Sequence, residues 1–266
     1  MSGLYVEHAG AGPAVVLLHG FSFDRTMWDP QYAALRTAGY HAVRYDLRGF
    51  GASGPPDAGR GHVEDLWAVL DEVGAPAAHL VGLSLGANVA LAAAIAEPGR
   101  VHSLTLASSG LPGHSWTTPR PPDDTAAHAD AYGVAAGKAF WLAHPIFDAA
   151  RERPAVRAHL ERMVGAFPAA QWRDGPATPA LPPLAADLPD VAVRTLVLTG
   201  ARDVPGYREI AAVIAAAVPG AECHELLAGH LLNLERPAEF TAALLDFLAR
   251  TTDVRLTQRR ARPLRR

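Results

Sequence analysis

The run Ala78-His79-Leu80-Val81-Gly82-Leu83-Ser84-Leu85-Gly86-Ala87-Asn88-Val89-Ala90 constrains the fold more than any other part of the chain. Its first half is apolar and of strand length, and its second half opens an alanine-rich stretch of helical composition. A strand that passes so abruptly into a helix forces the residue on the turn, Ser84, into a backbone conformation that L residues rarely adopt. It also leaves no room for a side chain at Gly82 or Gly86, which would strike the neighbouring strand or helix. The Ser84 hydroxyl is then presented above a sheet, at the positive end of a helix. Gly-x-Ser-x-Gly alone is a weak pattern. Its place between a strand and a helix is what makes Ser84 a candidate nucleophile rather than an ordinary turn serine.

The surrounding segments alternate in the same way. Residues 14–18 form a continuous apolar run, expected as a strand buried on both faces and preceded by a short hairpin strand near 4–8. Helical spacing over 24–37, a strand at 41–45, helical spacing over 63–73, the Ser84 unit and a strand at 101–107 follow. Such alternation predicts a parallel sheet with right-handed crossovers. The rhythm breaks at Gly110. Residues 111–190 are rich in proline, carry helical stretches at 126–142 and 154–167, and contain no strand-grade run. They read as a helical lid over the carboxyl edge of the sheet, in which Trp141 and Trp172 are candidates to touch substrate. The core resumes with a strand at 194–200, a helix at 206–218, a strand at 221–227 and a final helix at 237–248.

A serine hydroxyl needs a base to take its proton, and the base needs a partner that fixes its tautomer and stabilises its charged form. Ser84, Asp203 and His230 each follow a predicted strand at the same edge of one sheet, in the chain order serine, acid, histidine. Of twelve histidines, only His230 combines a late position, a strand-end loop and an adjacent glycine. Asp187 and Asp190 compete with Asp203 but precede the strand that should deliver the acid. His19-Gly20-Phe21 follows the first core strand, where its loop can direct the Phe21 N–H toward a developing oxyanion, with the Leu85 N–H as second donor. Asp46 precedes Ser84 and is expected to pin its own glycine-rich loop through hydrogen bonds.

At 266 residues with 49% hydrophobic and 19% charged residues, the chain suits one large α/β domain or a core with an inserted lid. The single cysteine, Cys223, excludes an internal disulfide and is expected as a buried thiol. No zinc-binding or His-Glu-x-x-His pattern is present, so no metal is expected. Residues 1–12 lack the features of a signal peptide and no run approaches a membrane span, so a cytoplasmic protein is expected. The last sixteen residues carry six arginines against Asp253 in a chain of net charge −3, leaving an acidic body unsuited to nucleic acid.

The His-Gly-Phe loop, Asp46-Leu47-Arg48-Gly49-Phe50-Gly51-Ala52-Ser53, Gly82-Leu83-Ser84-Leu85-Gly86, Gly200-Ala201-Arg202-Asp203 and Gly229-His230-Leu231 together resemble an α/β-hydrolase-fold enzyme. Within that fold, Met27-Trp28-Asp29-Pro30-Gln31 and the Ser84 pentapeptide resemble the 3-oxoadipate enol-lactonase and small-esterase group. The resemblance implies an α/β-hydrolase fold, with a mostly parallel central sheet flanked by helices and a helical lid inserted after the sixth core strand. Residues 1–110 and 191–250 would form the core, 111–190 the lid, and 251–266 a basic, disordered tail. It further implies a hydrolase without cofactor or metal, a monomer or homodimer, acting on a moderately hydrophobic small molecule. Catalysis would use Ser84, Asp203 and His230, with Phe21 and Leu85 as the oxyanion hole. The sequence departs from the enol-lactonase pattern in two places: Ala87-Asn88 follows Gly86 where that group usually has another glycine, and the segment between Ser53 and Val63 is short. Ester or lactone cleavage is the first reading. Carbon-carbon bond hydrolysis of a vinylogous diketone, or a lyase reaction, on the same triad is the second. A non-catalytic binding module is a remote third. A haloalkane dehalogenase or epoxide hydrolase would place an aspartate where Ser84 stands.

Overall fold

The computed structural model describes residues 3–118, 120–172 and 177–261. Seven strands form one sheet: β1 (Val6–Ala9), β2 (Ala14–Leu18), β3 (His41–Tyr45), β4 (Ala78–Leu83), β5 (Val101–Ala107), β6 (Thr195–Gly200) and β7 (Glu222–Leu226), in the order β1-β3-β2-β4-β5-β6-β7. Every neighbouring pair is parallel except β1 and β3. The apolar runs of β2, β4 and β6 are buried along their whole length, as strands covered on both faces must be.

The covering helices come from the crossovers. They are α1 (Asp29–Thr37), α2 (His62–Glu72) and α3 (Leu85–Ala96). The insertion adds α4 (Pro121–Tyr132), α5 (Val134–Ala143), α6 (Asp148–Arg151) and α7 (Pro154–Ala166), and the chain ends with α8 (Pro205–Ala217), α9 (Leu232–Glu235) and α10 (Pro237–Ala261). Strand order reverses between β3 and β4, so right-handed crossovers put α1 and α2 on opposite faces. In contact terms, α1 packs on α10 while α2 packs on α3.

Several expectations need correction. The insertion follows the fifth strand, not the sixth, because residues ahead of Ala14 supply a single strand. That strand makes no hairpin with β2; it crosses to pair antiparallel with β3 at the sheet edge. Gly133, at φ +87°, divides the expected helix at 126–142 into α4 and α5. Cys223 is exposed, since β7 is an edge strand whose central residues face solvent. The last helix runs to Ala261 rather than 248, so the expected tail begins inside α10, and its residues 262–266 lie outside the described ones. No described helix is long and apolar enough to cross a membrane.

Candidate active site

Strands β4, β5, β6 and β7 lie side by side, and past the carboxyl end of each comes one side chain of the candidate site: Ser84, Ser108, Asp203 and His230. Ser84 follows β4 with φ 53° and ψ −111°, while its N–H donates to the Ala107 carbonyl of β5 at 2.9 Å. A non-glycine residue held there stores about 1–3 kcal/mol of strain, which the flanking elements must enforce. They do so by contact. A Cβ on Gly82 would lie 2.3 Å from the Gly86 carbonyl carbon, and one on Gly86 would lie 2.1 Å from the Leu18 carbonyl oxygen of β2.

Asp203 and His230 meet directly. His230 Nδ1 lies 3.0 Å from Asp203 Oδ2 and 3.2 Å from Oδ1, with both side chains buried. A carboxylate can only accept there, so Nδ1 carries the hydrogen and Nε2 is left as the basic nitrogen. Two further donors hold the carboxylate: the Ser108 hydroxyl at 2.8 Å on Oδ2 and the Val204 N–H at 2.8 Å on Oδ1. The His230 loop is itself clamped by Glu235, which accepts from the N–H groups of Gly229 at 2.7 Å and Leu231 at 3.1 Å. Burial raises the Glu235 pKa above the ordinary carboxyl range. Asp187 and Asp190 sit in the turn Ala185–Asp190, ahead of β6.

The loop after β2 is held from behind. His19 Nδ1–H donates to the Gly20 carbonyl at 2.8 Å, and Nε2 accepts from the Leu47 N–H at 2.9 Å. That pattern requires neutral imidazole, consistent with a pKa lowered mainly by complete burial. The loop turns at Ser22, with φ 64°, whose hydroxyl accepts from Trp141 Nε1 at 2.7 Å. Phe21 and Leu85 line one cavity with Ser84. Among the described residues, neither backbone N–H is engaged by a protein acceptor. Asp46 accepts from the N–H groups of Arg25 and Ala52, both at 2.8 Å, and from the Arg25 guanidinium at 2.9 Å. Its carboxylate thus fixes the glycine-rich loop.

Two spaces open at Ser84. The larger, about 640 Å³, is walled by Phe21, Phe50, Leu85, Trp172 and Tyr207 among others, and His62 and Asn88 also reach it. The smaller, about 10 Å³, is bounded by Ser84, His230, Tyr207 and Trp141 among others. The two tryptophans singled out in the sequence therefore fall on different spaces. Among the described residues, no cluster of three or more His, Cys, Asp or Glu side chains is arranged to hold a metal ion.

Sequence reasoning missed Tyr207, Ser108 and Glu235. Tyr207 is buried, lines both spaces together with Ser84 and lays its ring 4.3 Å from that of His230; burial pushes its pKa up to about 12, so the phenol keeps its proton. Its signal was present, because Pro205 marks the first turn of a helix and Tyr207 stands on that turn, four residues past Asp203.

The alpha/beta hydrolase family model matches residues 15–244. The chain is 31% identical over 265 residues to the provisionally named carbamate hydrolase RutD of Variovorax paradoxus, an alignment that spans 93% of this chain and 96% of the relative. Among solved structures, an enol-lactonase from Burkholderia xenovorans superposes with a TM-score of 0.77 at 26% identity, over 92% of this chain and 96% of the other. A thermophilic esterase from Thermogutta terrifontis superposes with a TM-score of 0.79 at 27% identity, over 93% of each chain.

Proposed function

Because the chain belongs to the alpha/beta hydrolase family and is a hydrolase, we propose that it cleaves a carboxylic ester or lactone, without a cofactor, through an acyl-enzyme on Ser84. The observation that carries this reading is the bond from His230 Nδ1–H to an Asp203 carboxylate already held by Ser108 and Val204. It leaves Nε2 free to take the Ser84 proton, and Asp203 stabilises the imidazolium that results. The oxygen that becomes negative as the carbonyl turns tetrahedral is received by the N–H groups of Phe21 and Leu85. His230 then protonates the leaving oxygen, and a water activated by the same nitrogen releases the acid. Residues 111–190 act as the cap and supply Trp141 and Trp172 to the walls of the site. The likeness to an enol-lactonase and an esterase supports an acyl carbon as the point of attack.

The test is covalent trapping. A fluorophosphonate probe should add to intact protein once, on the peptide that contains Ser84. Labelling should vanish in Ser84→Ala and slow by orders of magnitude in His230→Ala. A folded wild-type protein that takes no label, or takes it on another residue, contradicts the proposal.

A further inference from the structure

The two spaces at Ser84 are unequal, and only one of them reaches the proton donor. Phe21, Ser84 and Tyr207 line both. Leu85, whose N–H is the second oxyanion donor, lines the 640 Å³ cavity alone, whereas His230 lines the 10 Å³ space alone. The remaining walls of the small space are Phe23, Trp141, Ile146 and Phe147, none more than 3% exposed. They are braced against one another: the Trp141 and Phe147 rings meet edge-on at 4.9 Å, and Trp141 is tied to Ser22. A space of this volume holds about one water molecule.

Resting on the serine mechanism above, these walls sort the two halves of a substrate. The proton that His230 takes from Ser84 has to pass to the leaving oxygen, so that oxygen and whatever it carries must lie on the His230 side. The acyl group, opposite, has the large cavity. We infer that the substrate is an ester of a bulky acid with a leaving group no larger than methanol, its acyl portion in the large cavity and its alkoxy carbon in the small space beside Ile146 and Phe147.

The chemistry balances on these groups alone. Ser84 Oγ bonds to the carbonyl carbon while its proton moves to His230 Nε2. The carbon–oxygen bond to the alkoxy group then breaks, and the departing oxygen takes that proton as methanol. One water enters the vacated space, gives a proton to Nε2 and bonds to the acyl carbon; the bond to Oγ breaks and Ser84 regains its proton. The space that accepts methanol is thus also sized for the water of the second step. Tyr207, which lines both spaces and lays its ring 4.3 Å from that of His230, forms the partition between the two halves. A lactone fits this division less well, because its leaving oxygen carries a chain of its own.

Two isomeric esters separate the alternatives: methyl 3-phenylpropanoate, with the bulk on the acid, and 2-phenylethyl acetate, with the bulk on the alcohol. Acid release in a pH-stat should give the methyl ester a kcat/KM at least about tenfold higher. Along the methyl, ethyl, propyl and butyl esters of 3-phenylpropanoic acid, kcat/KM should fall by on the order of tenfold per carbon that the walls refuse. Ile146→Ala should flatten that series, raising kcat/KM for the propyl and butyl esters relative to the methyl ester by on the order of tenfold. Faster turnover of 2-phenylethyl acetate, or a flat series in the wild type, overturns the inference. So does failure to cleave either ester by protein whose Ser84 takes the fluorophosphonate, an outcome that leaves the serine mechanism standing. A folded protein that takes no label removes both.

Discussion

Replacing Asp203 with asparagine keeps the shape of the site and changes its proton arithmetic. The carboxylate accepts from Ser108 Oγ and the Val204 N–H, each at 2.8 Å, and from His230 Nδ1 at 3.0 Å. In Asp203→Asn the amide oxygen can stay on the Val204 N–H, so the amide nitrogen replaces Oδ2 and faces both Ser108 and His230. The Ser108 hydroxyl can turn to accept. His230 can only accept by giving up the hydrogen on Nδ1, which places it on Nε2, the nitrogen that must receive the Ser84 proton. In serine proteases the equivalent change lowers kcat by about 10⁴-fold with the geometry intact, which is about 5 kcal/mol of transition-state stabilisation. The assay is kcat for methyl 3-phenylpropanoate in a pH-stat at neutral pH, with circular-dichroism melts to show that both proteins are folded. Ser108→Ala serves as the graded control, because it removes one of three donors and leaves the tautomer unchanged; it should cost about tenfold. A folded Asp203→Asn protein that keeps more than about a tenth of wild-type kcat refutes the tautomer reasoning and points to another carboxylate.

His62 is buried, and burial lowers its pKa to about 4. The unfolded chain therefore binds the proton more readily between about pH 6.5 and 4, so stability is complete above that window and falls through it on acidification. By linkage the loss from this one group at pH 4 is about 3 kcal/mol. Urea melts should show a shallower acid-side slope in His62→Phe, and an unchanged slope would contradict the burial argument. Gly86→Ala puts a methyl group 2.1 Å from the Leu18 carbonyl oxygen. It should cost about 1–3 kcal/mol of stability and most of the activity, checked by melting temperature and turnover. Arg48 grips Asp65 through two bonds of 2.7 and 2.8 Å while Arg60 adds a third contact of 2.7 Å to that buried carboxylate. Arg48→Met should cost about 3 kcal/mol by leaving the charge short of a partner, and Arg48→Met with Asp65→Leu should recover much of it in chemical denaturation.

What could be read from the sequence is what local geometry enforces. Two glycines around Ser84 have no space for a Cβ, and an apolar run as unbroken as residues 14–18 has no stable place but the middle of a parallel sheet. Asp203 and His230 were legible because each follows its strand at once. Pairing across the sheet was not. Nothing in residues 6–9 says that they cross to β3, since turn residues at 10–13 suit a hairpin equally well. Cys223 misled because a thiol in a strand is ordinarily buried, yet its neighbours Glu222, His224 and Glu225 are those of an edge strand. Ser108 and Glu235 act only through residues remote in the chain or hidden in a loop turn, so their roles emerge from contact rather than pattern.

The central claim is that Ser84 attacks an acyl carbon, and its most direct test is hydrolysis of the methyl esters of short- and medium-chain acids by wild type and Ser84→Ala, both shown to be folded. The account predicts turnover in the wild type and a near-complete loss in the mutant, whose deletion of one small side chain leaves the core intact. A Ser84→Ala protein that keeps more than about a tenth of the wild-type rate would contradict it.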